Sequence, residues 1–352
     1  MSTATPRLPL ELFGLVIGNL TDQSDLLRCS LVCRGWISFS RGNLILFIRN
    51  TNSATLKQLL ESPENTLAST IRRLKLSDAQ SFLPSLGCFT QLRSLVLWDM
   101  EATEMPDLPS LTHLEIDCIH LDSYTTFLGF MSGLIQLQDL VLIDVSCGND
   151  VRESAPGALP VFRLRCFEMG GHTAALDRRF MSTLCTKTLR LSRNPFRVPA
   201  SFDLVAQYLR DLGSNLESLQ LSKFDEEHLN AASNLDFSAS VNLSHLSISG
   251  AVHFHKDRRE IFVSPPLLSL LSNAGRHGQL QALDLYITWG ISYDTTSDTW
   301  LPPSQLQELL LKDDLASLRI IRIISTRPPL DDVSIKATLQ TSLSDSRVIY
   351  DF

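Results

Sequence analysis

The sequence predicts an α+β protein in two parts: a three-helix module over residues 1–50, then an irregular α/β solenoid with a parallel sheet over residues 51–352. Three observations predict it. Apolar residues near the start recur at helical spacing. Downstream, an apolar triplet with strand spacing recurs ten times. Helical stretches, or clusters of Gly, Pro, Ser and Asp, separate the triplets.

The helical module comes first in the chain. Leu10, Phe13, Ile17 and Leu20 form one stripe of a helix that opens at Leu8-Pro9, with proline at a tolerated first-turn position. Leu12, Leu15 and Val16 lie on another side. The run Thr21-Asp22-Gln23-Ser24 is rich in N-cap residues and separates this helix from the next. Residues 25–39 then carry Leu26, Leu27, Leu31, Val32, Cys33, Trp36, Ile37 and Phe39. A module this small cannot enclose that much apolar surface. Its second stripe either meets another protein or docks on the rest of this chain. Cys29 and Cys33 share a face if the helix is continuous, and without further ligands nearby they read as small buried hydrophobes.

Each downstream unit has an apolar residue, two others, then two apolar residues in alternation. The copies are Ile71-Leu74-Leu76, Leu92-Leu95-Leu97, Leu111-Leu114-Ile116, Leu137-Leu140-Leu142 and Leu164-Phe167-Met169. Then come Thr186-Leu189-Leu191, Leu216-Leu219-Leu221, Leu243-Leu246-Ile248, Leu280-Leu283-Leu285 and Leu318-Ile321-Ile323. First positions are 21, 19, 26, 27, 22, 30, 27, 37 and 38 residues apart, mostly near the leucine-rich-repeat period, with insertions in the last two steps. The alternating pair points to one face of a strand, and stacked units share one leucine core. Residues 44–48 read as an earlier strand, and residues 54–60 and 202–212 as helices between strands. Residues 147–159 and 289–303 read as loops, and residues 330–352 as a cap or a frayed tail.

The third, fifth and seventh residues of each triplet point away from the core and form the candidate target-binding face: Val96, Trp98, His113, Val141, Ile143, Arg190 and Tyr286. Trp98, Val96, Val141 and Ile143 make an apolar patch that binds a partner unless the same chain covers it. A broad sheet face suits a protein better than a small molecule.

The charge balance, 31 Lys+Arg against 38 Asp+Glu, gives −7 and argues against a phosphate-binding face for nucleic acid. The seven cysteines are scattered and none follows Cys185, which points to a reducing compartment. No apolar stretch reaches membrane-spanning length and no leader pattern opens the chain, so a soluble intracellular protein of cytoplasm or nucleus, without membrane contact, is expected. Nucleotide-binding, zinc-protease and hydrolase motifs are missing; catalytic residues, cofactors and metals are not expected. His253, His255 and Asp257 would share a face of an extended segment, yet their charged surroundings read as a solvated loop.

The first stretch also resembles a known family. Leu8-Pro9, Glu11, Ile17, Leu20, and the continuous run from Asp25 through Leu26, Leu27, Arg28, Cys29, Ser30, Leu31, Val32, Cys33, Arg34 and Gly35 to Trp36 resemble the F-box in a form frequent in fungal proteins. The likeness covers residues 8–47. Gly35 departs from the pattern, where many members carry a longer polar residue, and weakens a helix by about 1 kcal/mol. The resemblance implies binding to the Skp-type adaptor of a cullin–RING (SCF-type) ubiquitin ligase, and through it to a cullin, while the repeats hold an unknown protein substrate. It implies adaptor contacts from Leu8, Pro9, Leu12, Val16, Leu20, Leu26, Leu27, Val32, Cys33 and Trp36, some of which build the module's own core. A repeat scaffold that recruits no ligase is the alternative.

Overall fold

The computed structural model describes residues 9–62, 65, 67–102, 106–121, 123–147, 161–171, 178–192, 199–222, 226–255, 260–276, 279–290, 301–325, 340 and 347–351. The chain divides into two compact units, Met1–Pro160 and Val161–Phe352.

The first unit opens with three helices, α1 (Leu10–Gly18), α2 (Gln23–Val32) and α3 (Arg34–Asn43). Asp22 caps α2 by accepting from the backbone N–H groups of Ser24 (2.7 Å) and Asp25 (3.1 Å), so the polar run between the apolar stripes starts a helix as its composition requires. Cys33 is extended (φ −159°, ψ 160°) and breaks α2 from α3. The helical spacing assumed for Cys29 and Cys33 therefore ends at the break, and Cys33 is exposed instead of buried. Gly14 lets α1 approach α3, since a Cβ there would meet the Phe39 ring at 2.6 Å.

The strands follow: β1 (Ile45–Arg49), β2 (Arg73–Ser77), β3 (Ser94–Ala102), β4 (His113–Leu121), β5 (Asp139–Ile143) and β6 (Ser146–Cys147). Two helices sit between them, α4 (Asn50–Glu61) and α5 (Tyr124–Ser132). Strands β1 to β5 pair in chain order, all parallel, while β6 pairs with the far end of β4. Leu46, Leu74, Leu95, Leu114 and Leu140 stand side by side in register. Residues 45–49 are thus a strand of the same sheet as the repeats.

The second unit contains β7 (Phe162–Gly170), α6 (Arg178–Met181), β8 (Leu184–Ser192), α7 (Pro199–Leu212), β9 (Ser218–Ser222), α8 (Glu226–Ser233) and β10 (His245–His255). It continues with β11 (Glu260–Val263), α9 (Pro265–Gly275), β12 (Ala282–Gly290), α10 (Pro303–Leu310), β13 (Ile320–Ser325) and β14 (Val348–Asp351). Its parallel order is β7-β8-β9-β10-β12-β13-β14, and β11 pairs antiparallel with β10. The end of the chain is a strand along β13 rather than a frayed tail, although residues 330–339 and 341–346 lie outside the described residues. The same holds for residues 148–160 and 291–300, which cover most of the two expected loops.

The triplets account for this architecture. All thirty positions, from Ile71 to Ile323, are 5% exposed or less. Even Thr186, the one polar member, is buried with its hydroxyl donating to the Thr188 carbonyl at 2.9 Å. A recurring left-handed kink interrupts or ends the strand pattern. The eighth residue of six units, Asp78, Asp99, Cys118, Asp144, Gly171 and Gly250, has a positive φ. Glycine takes that conformation freely and aspartate tolerates it better than most residues.

Candidate functional site

Two surfaces qualify, and the helical module carries the first. On α1 the stripe Phe13 and Ile17 turns inward, with Ile17 buried and Phe13 against Trp36 at a centroid distance of 5.0 Å. Leu12, Leu15 and Val16 face solvent, as do Leu27, Leu31 and Val32 of α2, with Leu31 85% exposed. Pro9 and Cys33 are exposed; Leu20 and Trp36 are half-buried. One member of the expected adaptor set must be corrected. Leu26 is 1% exposed and belongs to the module's core, because its place on α2 points inward while its neighbour Leu27 points out. Leu8 lies outside the described residues. Leu15 and Leu31 were not in the expected set, although their apolar type inside the matching stretch is the signal that could have found them.

The second surface is the outward face of the strands. In the first unit its residues form three rows across β1 to β5. The third-position row is Ile45, Arg73, Ser94, His113 and Asp139. The fifth-position row is Phe47, Lys75, Val96, Glu115 and Val141, and the seventh is Arg49, Ser77, Trp98, Asp117 and Ile143. Trp98 is 40% exposed, and Val96, His113 and Val141 are half-buried. Ile143 is only 6% exposed and leaves the apolar patch. The chain kinks at Asp144 (φ 51°) and continues in the same direction, so that β6 pairs parallel with β4 beyond the stretch that β5 covers. The Lys75 ammonium lies 5.1 Å from the Trp98 ring centre and 5.9 Å from that of Phe47, and the Arg49 guanidinium 4.5 Å from Phe47. The Phe47 and Arg49 positions became visible only once β1 was placed in register.

In the second unit the face is hydroxyl-rich and its charges pair with each other. Arg190 lies 3.9 Å from Glu168, which also accepts from the Ser192 hydroxyl at 2.8 Å. Buried Asp284 accepts from Arg322 at two points, Nε to Oδ1 at 2.7 Å and NH2 to Oδ2 at 2.9 Å. The His245 Nε2 is 2.9 Å from the same Oδ2, and its Nδ1 is 3.4 Å from the Ser218 hydroxyl. Burial pushes the Asp284 carboxyl up, but the bonds from His245 and Arg322 outweigh it and hold the group below the usual carboxylate range. The bidentate arginine keeps this carboxylate anionic and fixed, which suits alignment of β10, β12 and β13. Tyr286 is half-buried nearby in sequence.

Among the described residues, Asp117, Cys118 and Asp144 bring possible metal ligands within 4.8 Å of one another. Their proximity follows from the fold, since each sits at or beside the left-handed turn of neighbouring units. The His253 Nε2–H donates to the Gly250 carbonyl oxygen at 2.9 Å within β10; the expected loop is a strand up to His255, and Asp257 lies outside the described residues.

Residues 5–49 match the F-box-like family model. The F-box-like stretch ends inside β1, where the repeat sheet begins. Among solved structures, the leucine-rich repeat-containing protein LegL7 from Legionella pneumophila is similar over 91% of this chain and 94% of its own, at 15% identity and a TM-score of 0.40. No curated protein sequence matches. The chain is therefore an F-box-like helical module followed by leucine-rich repeats, the repeats resting on the register and burial of the triplets. Both are module types that ordinarily serve protein interaction. Among the described residues, no helix is long and apolar enough to cross a membrane.

Proposed function

We propose that this protein is the substrate-recognition subunit of a cullin–RING ubiquitin ligase, working inside the cell. The helical module of residues 1–50 binds a Skp-type adaptor, and the repeats of residues 51–352 hold a target protein. The observation that carries the reading is the exposure of six large apolar side chains, Leu12, Leu15, Val16, Leu27, Leu31 and Val32, inside the F-box-like stretch. Each is worth about 1.5–3 kcal/mol when fully buried. Part of that total offsets the entropy lost on association. The protein itself then needs no catalytic group. It acts by holding target lysines near a charged conjugating enzyme, at high effective concentration.

The test is co-elution of the full chain with a purified Skp-type adaptor. Leu31→Asp and Val16→Asp should each abolish the complex and leave the circular dichroism spectrum unchanged, since both side chains already face water. Trp36 is a poor probe because it packs on Phe13 within the module. Adaptor binding that survives both aspartates refutes the assigned surface. An intact chain that never binds the adaptor points to a repeat scaffold that recruits no ligase.

A further inference from the structure

The outward face of the first unit sorts its charges by strand. Arg49, Arg73 and Lys75 lie on β1 and β2. Strand β3 is neutral over the registered rows, with Ser94, Val96 and Trp98. Glu115, Asp117 and Asp139 lie on β4 and β5. No carboxylate of the described residues pairs with Arg49, Arg73 or Lys75, and no cation of the described residues pairs with Glu115. Lys75 and Glu115 share a row two strand spacings apart, about 10 Å between backbones, and do not pair with each other. The two rings beside Lys75 hold its ammonium over the sheet instead of letting it trail into water. In the first unit His113 and Asp139 lie 3.9 Å apart across β4 and β5, and in the second unit Glu168 meets Arg190 and Asp284 meets Arg322 on adjacent strands.

Arg49, Arg73 and Lys75 on one side of an exposed tryptophan and Glu115 on the other are complementary to a ligand that carries the reverse order; Asp139 faces His113 at 3.9 Å and is not counted among them. We infer that this face takes an extended, charge-segregated peptide segment of the target. The segment crosses the strands with acidic side chains over Arg49, Arg73 and Lys75, an apolar side chain against Trp98 and Val96, and a basic side chain over Glu115. The distance from β2 to β4 corresponds to about three extended residues, which sets the spacing between the acidic and basic ends. A nucleic-acid strand is disfavoured because its phosphates would run from the basic strands straight onto Glu115 and Asp139. The inference rests on the proposal that the repeat face holds the target, and it names the class of segment held.

Fluorescence anisotropy with the full chain tests it. Three short labelled peptides are compared: glutamates, leucines, then lysines; an isomer with the charges alternating; and an uncharged version with glutamine and serine in their place. The segregated peptide should bind about tenfold more tightly than the other two at low salt, a preference that shrinks as ionic strength rises. Arg73→Glu with Lys75→Glu should erase the preference, as should Glu115→Lys alone; all three side chains lie at least partly in solvent, so folding is not at risk. Trp98→Ala should weaken the segregated peptide. Equal binding of all three peptides, or no binding of the segregated one, overturns the inference. If binding is equal and still lost in Trp98→Ala, the face remains the target site and only the charge order is wrong. If the segregated peptide binds but ignores Trp98→Ala, both the inference and the placement of the target site fail.

Discussion

Leu219 of the repeats is closed off from water, whereas Leu31 of the helical module is 85% exposed. The residue type is the same and the difference lies in what each element has for a neighbour. A repeat strand finds a similar strand beside it, so the two strand positions of a triplet meet apolar side chains at the same height. Three short helices have no such supply, and after Ile17 and Leu26 are enclosed, Leu12, Leu15, Val16, Leu27, Leu31 and Val32 are left facing solvent. Exposure of this kind marks a surface completed by another molecule. The contrast predicts opposite penalties for one substitution. Leu219→Ala should destabilise the second unit by about 3–4 kcal/mol, the usual cost of a buried leucine and its cavity. Leu31→Ala should change stability by no more than about 0.5 kcal/mol while weakening the proposed adaptor complex. Urea unfolding of both variants checks the pair, and equal losses would break the comparison.

A second contrast sits on the strand face. Gly170 holds the seventh position where other units carry a side chain, and a Cβ there would lie 2.2 Å from the Ser192 carbonyl oxygen of β8. The obstacle is backbone rather than a flexible side-chain end. Gly170→Ala should therefore cost about 2–3 kcal/mol as β7 and β8 are pushed apart. At Trp98, the same position of its own unit, replacement by alanine should cost far less stability because the ring is already partly solvated. A small loss at Gly170, seen as an unchanged unfolding midpoint, would mean that the two strands have room to shift.

The paired charges of the second unit come next in size. Asp284→Asn removes a charge-assisted link to both His245 and Arg322, and should cost about 1–2 kcal/mol, tempered by the exposure of Arg322. The sign with pH follows from the lowered carboxyl. A group with a folded-state value below its unfolded value stabilises fully above the unfolded value, near 3.9, and that stabilisation is lost as pH falls through the folded value. The gap between the native protein and Asp284→Asn should thus hold steady from pH 7 to about pH 5 and narrow below about pH 4. A gap that widens on acidification would contradict the assigned direction.

The legible parts of the fold are those set by local period. The triplets encode strand spacing and repeat length together, so all ten copies could be read without coordinates, as could an early strand, expected at residues 44–48 and found at Ile45–Arg49. The apolar stripe through Phe13 and Ile17 was equally visible, but not that it is the inward one. What depends on a neighbouring element was not. Leu26 and Leu27 are adjacent and identical, and only the packing of α2 on α3 decides which one is enclosed. Ile143 fits the outward alternation, yet it is 6% exposed, at the kink where β5 gives way to β6. The pairing of Asp284 with Arg322 spans an insertion, and becomes readable only when both are counted as fifth positions of their units.

The smallest effect concerns a polar atom inside the otherwise apolar layer beneath the strands. Tyr208 of α7 packs edge-on against Phe167, centroids 5.9 Å apart, and is fully buried. Its hydroxyl has no hydrogen-bond partner among the described residues, and burial raises the phenol well above its usual range. A buried donor left unmade costs about 1–3 kcal/mol relative to one that is satisfied. Removing the oxygen keeps the ring and its contact with Phe167, so Tyr208→Phe should leave the second unit as stable or raise it by up to about 1 kcal/mol. That sets it apart from Leu219→Ala, a change of similar depth and opposite sign. A clear loss of stability in Tyr208→Phe would instead mean that the hydroxyl is bonded, with an ordered water as its partner in the folded protein.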